Sequence, residues 1–431
     1  MPGLNIETLP TKSLVPYARN ARVHSPQQVK QIATSIDKFG FLVPVLIDSS
    51  NQIIAGHGRI MAANKLKMRD VPCIRIEHLT EAQKRAYIIA DNKLTENASW
   101  NQEILALELK ELSELDLDFS LDITGFHVNE IDLLIEGIDK DASDDEEEDE
   151  IIDIPVGPPI SKAGDIWQLG KHRIYCGNSL EEQGFQELLA NKKATMVITD
   201  PPYNVPIDGH VCGKGSAKHN EFVMASGEMS QAEFTRFLQS SFEFLRKYST
   251  EGSIHYIFMD WRHMQEILTA GTKYHELKNL CVWVKDNGGM GTFYRSRHEL
   301  VFVFKNGSAP HINNFELGQH GRYRSNVWEY AGINSVKARN EHGENLLDLH
   351  PTVKPINLLE DAIRDCSKRN DIVLDPFLGS GSTLLACEKS GRKCYSIEIE
   401  PKFVDVCIRR WEKQTGKKAE KISEHKEVCH A

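Results

Sequence analysis

The chain has 431 residues, 40% of them hydrophobic and 26% charged, the composition of a globular protein of about two or three domains. No apolar run approaches the roughly 18 residues of a membrane span, the start Met1-Pro2-Gly3-Leu4 is not a secretory signal, and nine scattered cysteines without a Cys-x-x-Cys pair exclude a disulfide framework or zinc ribbon; a reduced, cytoplasmic protein with no membrane and no metal is expected. The net charge of −11 is uneven, with +5 over residues 1–98, −9 over 99–138, −8 over 139–150 and +1 over 151–431, so a nucleic-acid partner is not excluded.

Taken along the chain, Val43–Asp48 and Gln52–Ala55 read as short strands around a turn at Ser49-Ser50-Asn51. Gly56-His57-Gly58-Arg59 then turns into a helix toward Leu66, and Ile104, Leu105, Leu107, Leu109, Leu112 and Leu115 recur at helical spacing. The run from Asp139 to Glu150 holds nine acids and one lysine, so it buries nothing, repels itself and reads as an extended linker. Beyond it, strand-like runs at Arg173–Cys176, Met196–Thr199, Ile254–Met259, Leu280–Val284, Leu300–Phe304, Ile372–Leu374 and Cys394–Ile399 alternate with helical patterns such as Leu358–Ser367 and Leu384–Lys389. That alternation predicts an α/β fold with a doubly wound, mostly parallel sheet, in which ligands bind at the carboxyl ends of strands. The expected division is an N-terminal α+β domain with a helical extension over 1–138, an acidic disordered linker over 139–160, the α/β domain over 161–417 and a polar tail over 418–431.

Two strand ends carry unusual loops. Ile372-Val373-Leu374 runs into Asp375-Pro376-Phe377-Leu378-Gly379-Ser380-Gly381-Ser382-Thr383 and a helix. Glycines at such a turn admit a ligand close to backbone, and the helix start offers free N–H groups. Glu398, 17 residues after Gly381 at the end of the next strand, is where a ribose would be held, so a nucleoside-containing cofactor is expected. The other loop, Asp200-Pro201-Pro202-Tyr203, offers a carboxylate, a carbonyl fixed by proline and an aromatic face, without a nucleophile or metal cluster. Such a set suits an exocyclic amine on a planar base that stacks on Tyr203.

With these loops, Asp260-Trp261-Arg262-His263, Gly289-Met290-Gly291 with Tyr294-Arg295 and His298-Glu299, and His350-Pro351-Thr352-Val353-Lys354-Pro355, residues 164–416 resemble the amino-methylating DNA methyltransferases. The catalytic loop precedes the cofactor loop by 175 residues, an order similar to the β group, a circularly rearranged Rossmann-like fold typically of seven strands. The resemblance implies S-adenosyl-L-methionine as cofactor, Asp200, Pro201, Pro202 and Tyr203 as catalytic residues, and Lys354, Asp375, Phe377, Gly379, Gly381, Thr383 and Glu398 as cofactor residues. Asn178 stands where relatives usually carry Asp, which argues against a cofactor contact there. Target reading is expected between Gly288 and Asn345, with Arg295, Arg297, His298, Arg322 and Arg324 as DNA-binding candidates.

Residues 8–98 resemble the ParB-like domain of partition proteins through Ser35-Ile36, Gly40, Pro44, Gly56-His57-Gly58-Arg59 and Ala62-Ala63. Those proteins hold nucleotide phosphates with Gly-Glu-Arg-Arg; here one arginine is missing and His57 replaces the acid, which argues against nucleotide hydrolysis. The expected activity is site-specific methylation of adenine N6 by a bacterial or phage-encoded enzyme of the restriction-modification kind. The alternatives are cytosine N4 as target, a ParB-like DNA-binding regulator with an inactive methyltransferase half, and an RNA or protein methyltransferase. Double-stranded DNA is the expected partner; a nucleotide at the N-terminal domain and a second copy of the chain are further candidates.

Overall fold

The computed structural model describes residues 4–115, 117–142, 157–204, 227–286, 294–315, 318, 322–332 and 353–423. The chain divides into two compact units, Met1–Asp144 and Asp145–Ala431.

The first unit comprises β1 (Ile6–Pro10), α1 (Pro26–Phe39), β2 (Val45–Ile47), β3 (Ile53–Ala55), α2 (His57–Lys65), β4 (Asp70–Arg75), α3 (Glu81–Glu96), α4 (Gln102–Glu114) and α5 (Val128–Ala142). Its four strands lie in the order β1-β4-β2-β3. α1 begins where Ser25 accepts a hydrogen bond from the Gln28 N–H and Pro26 presets the first turn, and it ends at Gly40 with φ 86°. Its Val29, Ala33 and Ile36 form one stripe that packs on Ala62 of α2. The turn between β2 and β3 is closed by Asp48, whose carboxylate accepts from the Ser50 and Gln52 N–H groups. α4 and α5 share a separate small core of Leu109, Leu121, Ile131 and Ile135. Because α5 continues through Ala142, the first four residues of the acidic run are helical where a disordered linker was expected; residues 143–156 lie outside the described residues.

The second unit runs β5 (Ile166–Leu169), β6 (His172–Cys176), α6 (Glu182–Leu189), β7 (Ala194–Thr199), α7 (Gln231–Lys247), β8 (Ser249–Met259), α8 (Met264–Ala270), β9 (Glu276–Val284), β10 (His298–Lys305), β11 (Val327–Glu329), α9 (Ile356–Asp365), β12 (Ile372–Asp375), α10 (Ser382–Ser390), β13 (Lys393–Glu398), α11 (Pro401–Thr415) and β14 (Glu420–Ser423). Among the described residues these strands form one sheet in the order β11-β9-β10-β8-β7-β12-β13-β6-β5-β14. All seven strand-like runs of the sequence are strands. The three further ones, β5, β11 and β14, are short and lie toward the two ends of the sheet. β14 corrects the reading of 418–431 as a tail: it pairs antiparallel with β5, and Lys421 meets the buried Asp165 at 2.9 Å. A polar edge strand of this kind has no apolar alternation to betray it.

β8, β7, β12, β13 and β6 are parallel to one another, and antiparallel strands flank them on both sides. Met196, Val197 and Ile198 of β7 are all fully buried. Met196 and Ile198 face one apolar layer and Val197 the other, as a strand covered on both faces requires. Each such side chain contributes roughly 1.5–3 kcal/mol by burial. The chain leaves β7 through α7 to β8 on one side, whereas β12 takes the other side, so a topological switch point lies between β7 and β12.

Candidate active site

The switch point brings the two loops of the sequence together. β7 ends at Thr199 because Pro201 and Pro202 have no N–H for the ladder. Thr199 donates its hydroxyl to Asp375 at the end of β12 (2.8 Å), and Asp375 also accepts from the Phe377 N–H (3.1 Å). Burial pushes the Asp375 carboxyl up to about 6. The glycine turn follows, with Gly379 at φ 57° and Gly381 at φ 91°. The Gly379 N–H donates to Glu398 (2.7 Å) and the Glu400 N–H to its other oxygen (2.8 Å). Burial pushes the Glu398 carboxyl up to about 7, against those two bonds.

One cleft is lined by Asp200, Pro201, Pro202, Tyr203, Lys354, Asp375, Phe377, Gly379, Thr383 and Glu398, together with Ser179, Phe258 and Phe403. Gly381 does not line it. It caps α10 behind the loop, where a Cβ would stand 2.8 Å from the Cys407 sulfur. Asn178 accepts from the Leu180 N–H at 2.9 Å and so makes a local turn.

The floor of the Asp200–Tyr203 loop is a charge cluster that the residue types alone did not announce. Tyr203 donates its hydroxyl to Asp200 Oδ1 (2.5 Å), and Lys354 Nζ donates to Asp200 Oδ2. Lys354 Nζ also lies 3.2 Å from Glu299 Oε2, and Lys285 Nζ lies 2.5 Å from Glu299 Oε1. The four charges balance, which buried charges need. Burial raises the Asp200 carboxyl, with Lys354 pulling it back and Glu299 pushing it further up. Burial alone would raise Glu299 too, but the two ammonium groups overcome it and hold that carboxyl at about 2. Glu299 and Lys285 were missed as site residues because they meet the Asp200–Tyr203 loop only through the order β9-β10-β8-β7, which no local spacing encodes. Among the described residues no cluster of His, Cys, Asp and Glu could hold a metal.

The DNA-binding candidates separate. Arg295 and Arg297 are exposed and His298 is half-buried. Arg322 and Arg324 instead grip two carboxylates of α9: Arg322 reaches Asp365 at 2.8 Å and Arg324 reaches it at 3.1 Å, and both contact Asp361. Sequence showed two arginines beside an aromatic and could not show that α9 supplies their counter-charges. Gly289-Met290-Gly291 and His350-Pro351-Thr352 lie outside the described residues. In the first unit, His57 Nε2 accepts from the Tyr17 N–H at 3.1 Å, and Arg59 donates to the Pro44 carbonyl at 3.3 Å. Both side chains of that turn therefore serve the fold of the unit.

A doubly wound sheet that sets a carboxylate–proline–proline–aromatic loop beside a glycine turn is the frame of a Rossmann-like methyltransferase. The chain belongs to the DNA methylase family, whose model matches residues 194–409, half of its length. Residues 2–93 match the ParB N-terminal domain, and 103–163 match the ParB-methyltransferase helix-turn-helix domain, where the sequence reading saw only a helical extension. The ParB-like nuclease domain-containing protein YnaK of Escherichia coli (strain K12) is 54% identical over 82 residues, 19% of this chain and 94% of that protein. The type II methyltransferase M2.MboI of Moraxella bovis is 25% identical over 256 residues, 56% of this chain and 88% of that one. The DNA adenine methyltransferase YhdJ of Escherichia coli (strain K12) is 26% identical over 258 residues, 54% of this chain and 80% of that one.

Proposed function

We propose that the protein methylates N6 of an adenine flipped out of double-stranded DNA, with S-adenosyl-L-methionine as methyl donor. The observation that carries this reading is the Asp200-Pro201-Pro202-Tyr203 loop sharing one cleft with the glycine turn and Glu398. The cleft fits that cofactor. Asp200, Asp375 and Glu398 outnumber Lys354 along its wall, which suits a cation. Glu398 keeps acceptor capacity on both oxygens for two ribose hydroxyls. Gly379 lets backbone line the wall, and Phe377 and Phe403 offer apolar faces.

When bound, the cofactor supplies a methyl group already activated by a positive sulfur. The residues of the chain do the rest. Asp200 and the Pro201 carbonyl accept hydrogen bonds from the amino group, and they stabilise the positive charge that develops on nitrogen. Tyr203 offers its ring to the extruded base. Walls of Phe258 and the prolines exclude water, and the two loops align donor and acceptor. Asp200 is placed to take the proton that the nitrogen releases. Arg295, Arg297 and His298 serve the DNA face; Arg322 and Arg324 are reassigned to holding their segment on α9. YhdJ, a relative named for adenine, is in keeping with that base. Expression in a bacterial host free of DNA methylation, followed by single-molecule sequencing of modified bases, tests base, site and activity together. N4-methylcytosine would overturn the adenine assignment, and unmodified DNA would overturn the enzyme assignment in favour of a DNA-binding regulator.

The ionisation of Glu398 yields a prediction of its own. A carboxylate accepts from both ribose hydroxyls, whereas the acid turns one oxygen into a donor and is the weaker acceptor, and burial pushes this group up to about 7. S-adenosyl-L-methionine should therefore bind more weakly as pH falls from 8 to 6, by up to about tenfold below the midpoint for one proton per unit of pH. Calorimetry should find that dependence flattened, and affinity lowered throughout, in Glu398→Gln. A pH-independent dissociation constant in the unaltered enzyme would remove Glu398 from the ribose.

The N-terminal unit is assigned to DNA association, with a nucleotide or a second copy of the chain as further partners. A protein beginning at Ile151 retains every cleft residue and should still bind S-adenosyl-L-methionine. Its DNA affinity should fall most at low salt, because a phosphate contact is screened as salt rises. A folded truncation unable to bind the cofactor would make the two units one catalytic body. Equal DNA affinity at every salt concentration would remove the N-terminal unit from the DNA.

A further inference from the structure

We propose that Glu299 is a positioning residue, the second seat for an ammonium group that caps Asp200 until the target base arrives. The inference rests on the methyl-transfer reading above and goes beyond it to how the site opens.

Both oxygens of Asp200 are occupied. Oδ1 takes the Tyr203 hydroxyl and Oδ2 takes Lys354 Nζ. A primary ammonium and an exocyclic amine present the same kind of N–H to a carboxylate, so Lys354 holds the place that the adenine N6 amine needs. Lys354 is buried to 5% exposure and its Nζ lies over the faces of Tyr203 and Phe258, at 5.6 and 5.2 Å from the ring centres. It cannot swing out to water without abandoning those contacts and leaving buried acids uncompensated. A second carboxylate is already within reach: Glu299 Oε2 stands 3.2 Å from the same Nζ. A shift of that atom from Asp200 to Glu299 frees Oδ2 for the amine while the ammonium keeps a carboxylate partner within the same cluster. The Tyr203 hydroxyl lies 2.5 Å from Asp200 and 3.2 Å from Glu299. Its single proton can follow the same exchange, which leaves Asp200 to the base.

Lys285 completes the device. Its Nζ binds Glu299 Oε1 at 2.5 Å and sits 4.5 Å from the centre of the Trp283 ring. Glu299 is thereby anchored on one oxygen and keeps the other for the moving lysine. The charged and titratable groups around the exchange are Asp200 and Tyr203 beyond β7, Asp375 on β12, Lys285 beyond β9, Glu299 on β10 and Lys354 ahead of α9. The exchange moves hydrogen bonds only and needs no co-reactant.

The test compares the full-length enzyme with Glu299→Gln, Lys354→Met and the double variant, which removes one charge of each sign. Duplexes carry 2-aminopurine at the target adenine of the site mapped by sequencing. Fluorescence reports base insertion, single-turnover transfer to the ordinary adenine reports chemistry, and a thermal melt reports folding. Glu299→Gln should lose insertion and transfer together by about tenfold or more, with Glu299→Asp recovering most of both. In the Lys354→Met background the same Glu299 change should cost nothing further, since no ammonium is left to reseat. A Glu299→Gln enzyme that inserts the base normally would overturn the proposal, as would a penalty that persists in the Lys354→Met background. Should Glu299→Gln fail to fold, the double variant against Lys354→Met alone still decides. Loss of methylation in the unaltered enzyme would be a failure of the methyl-transfer reading, not of this one.

Discussion

Asp200→Ala is expected to lose methyl transfer by on the order of a hundredfold or more while S-adenosyl-L-methionine still binds. In the proposed reaction the carboxylate faces the one atom at which charge develops, and the second acceptor, the Pro201 carbonyl, carries only a partial charge. Removing Asp200 leaves Lys354 with Glu299, 3.2 Å away, which it must then share with Lys285, so a thermal melt accompanies the assay to separate lost chemistry from lost stability. Asp200→Asn keeps an acceptor oxygen and loses the charge, so its turnover should fall between the two. Single-turnover kinetics on plasmid DNA, with cofactor affinity by calorimetry, measure both quantities. Near-normal turnover in purified Asp200→Ala would sink the assignment of this residue to the chemistry.

The other large effect belongs to a residue outside the cleft. Gly381 holds φ at 91°, and a Cβ there would stand 2.8 Å from Cys407 Sγ and 3.2 Å from its Cβ. Gly381→Ala therefore meets both a backbone conformation unsuited to alanine and a contact that must give. It should cost about 1–3 kcal/mol of stability and shift the start of α10, which carries Thr383 into the cleft. A melt should show the loss, and calorimetry should show weaker cofactor binding. Cys407→Ala in the same chain removes the sulfur but neither the Cβ at 3.2 Å nor the φ, so rescue should be partial. Full rescue would mean that crowding alone demands the glycine, and unchanged stability in the single variant would mean that the turn tolerates a side chain.

The central strands were legible because each is a run buried on both faces, as Met196-Val197-Ile198 shows. The two loops were legible because proline and glycine impose local geometry wherever they stand. What escaped depended on partners far away in sequence. Glu299 reads as half of a His-Glu pair with no visible partner until β10 is laid beside β8. Arg322 and Arg324 read as a nucleic-acid patch until α9 brings Asp361 and Asp365 against them. β14 offered four largely polar residues with no alternation to follow. Local rules thus found the elements and the loops, and missed the ion pairs, because an ion pair between distant segments is a property of topology.

The pairing of β12 with β7 joins Val373 to Met196 across 177 residues, and this has a bearing on how the domain comes to exist. During synthesis β7 and β8 can pair early, but the other edge of β7 waits for β12, near the end of the chain. An apolar strand with one open edge is a template for the wrong neighbour, and a contact of such long sequence separation forms slowly. The domain should therefore depend on chaperones or low synthesis rates more than its final packing suggests. The sheet also contains its own remedy. Ser423 of β14 lies in register with Ile166 of β5, so a short connection there would allow the chain of this domain to begin just before α9. β12, α10 and β13 would then emerge first, and β7 would find its partner already made.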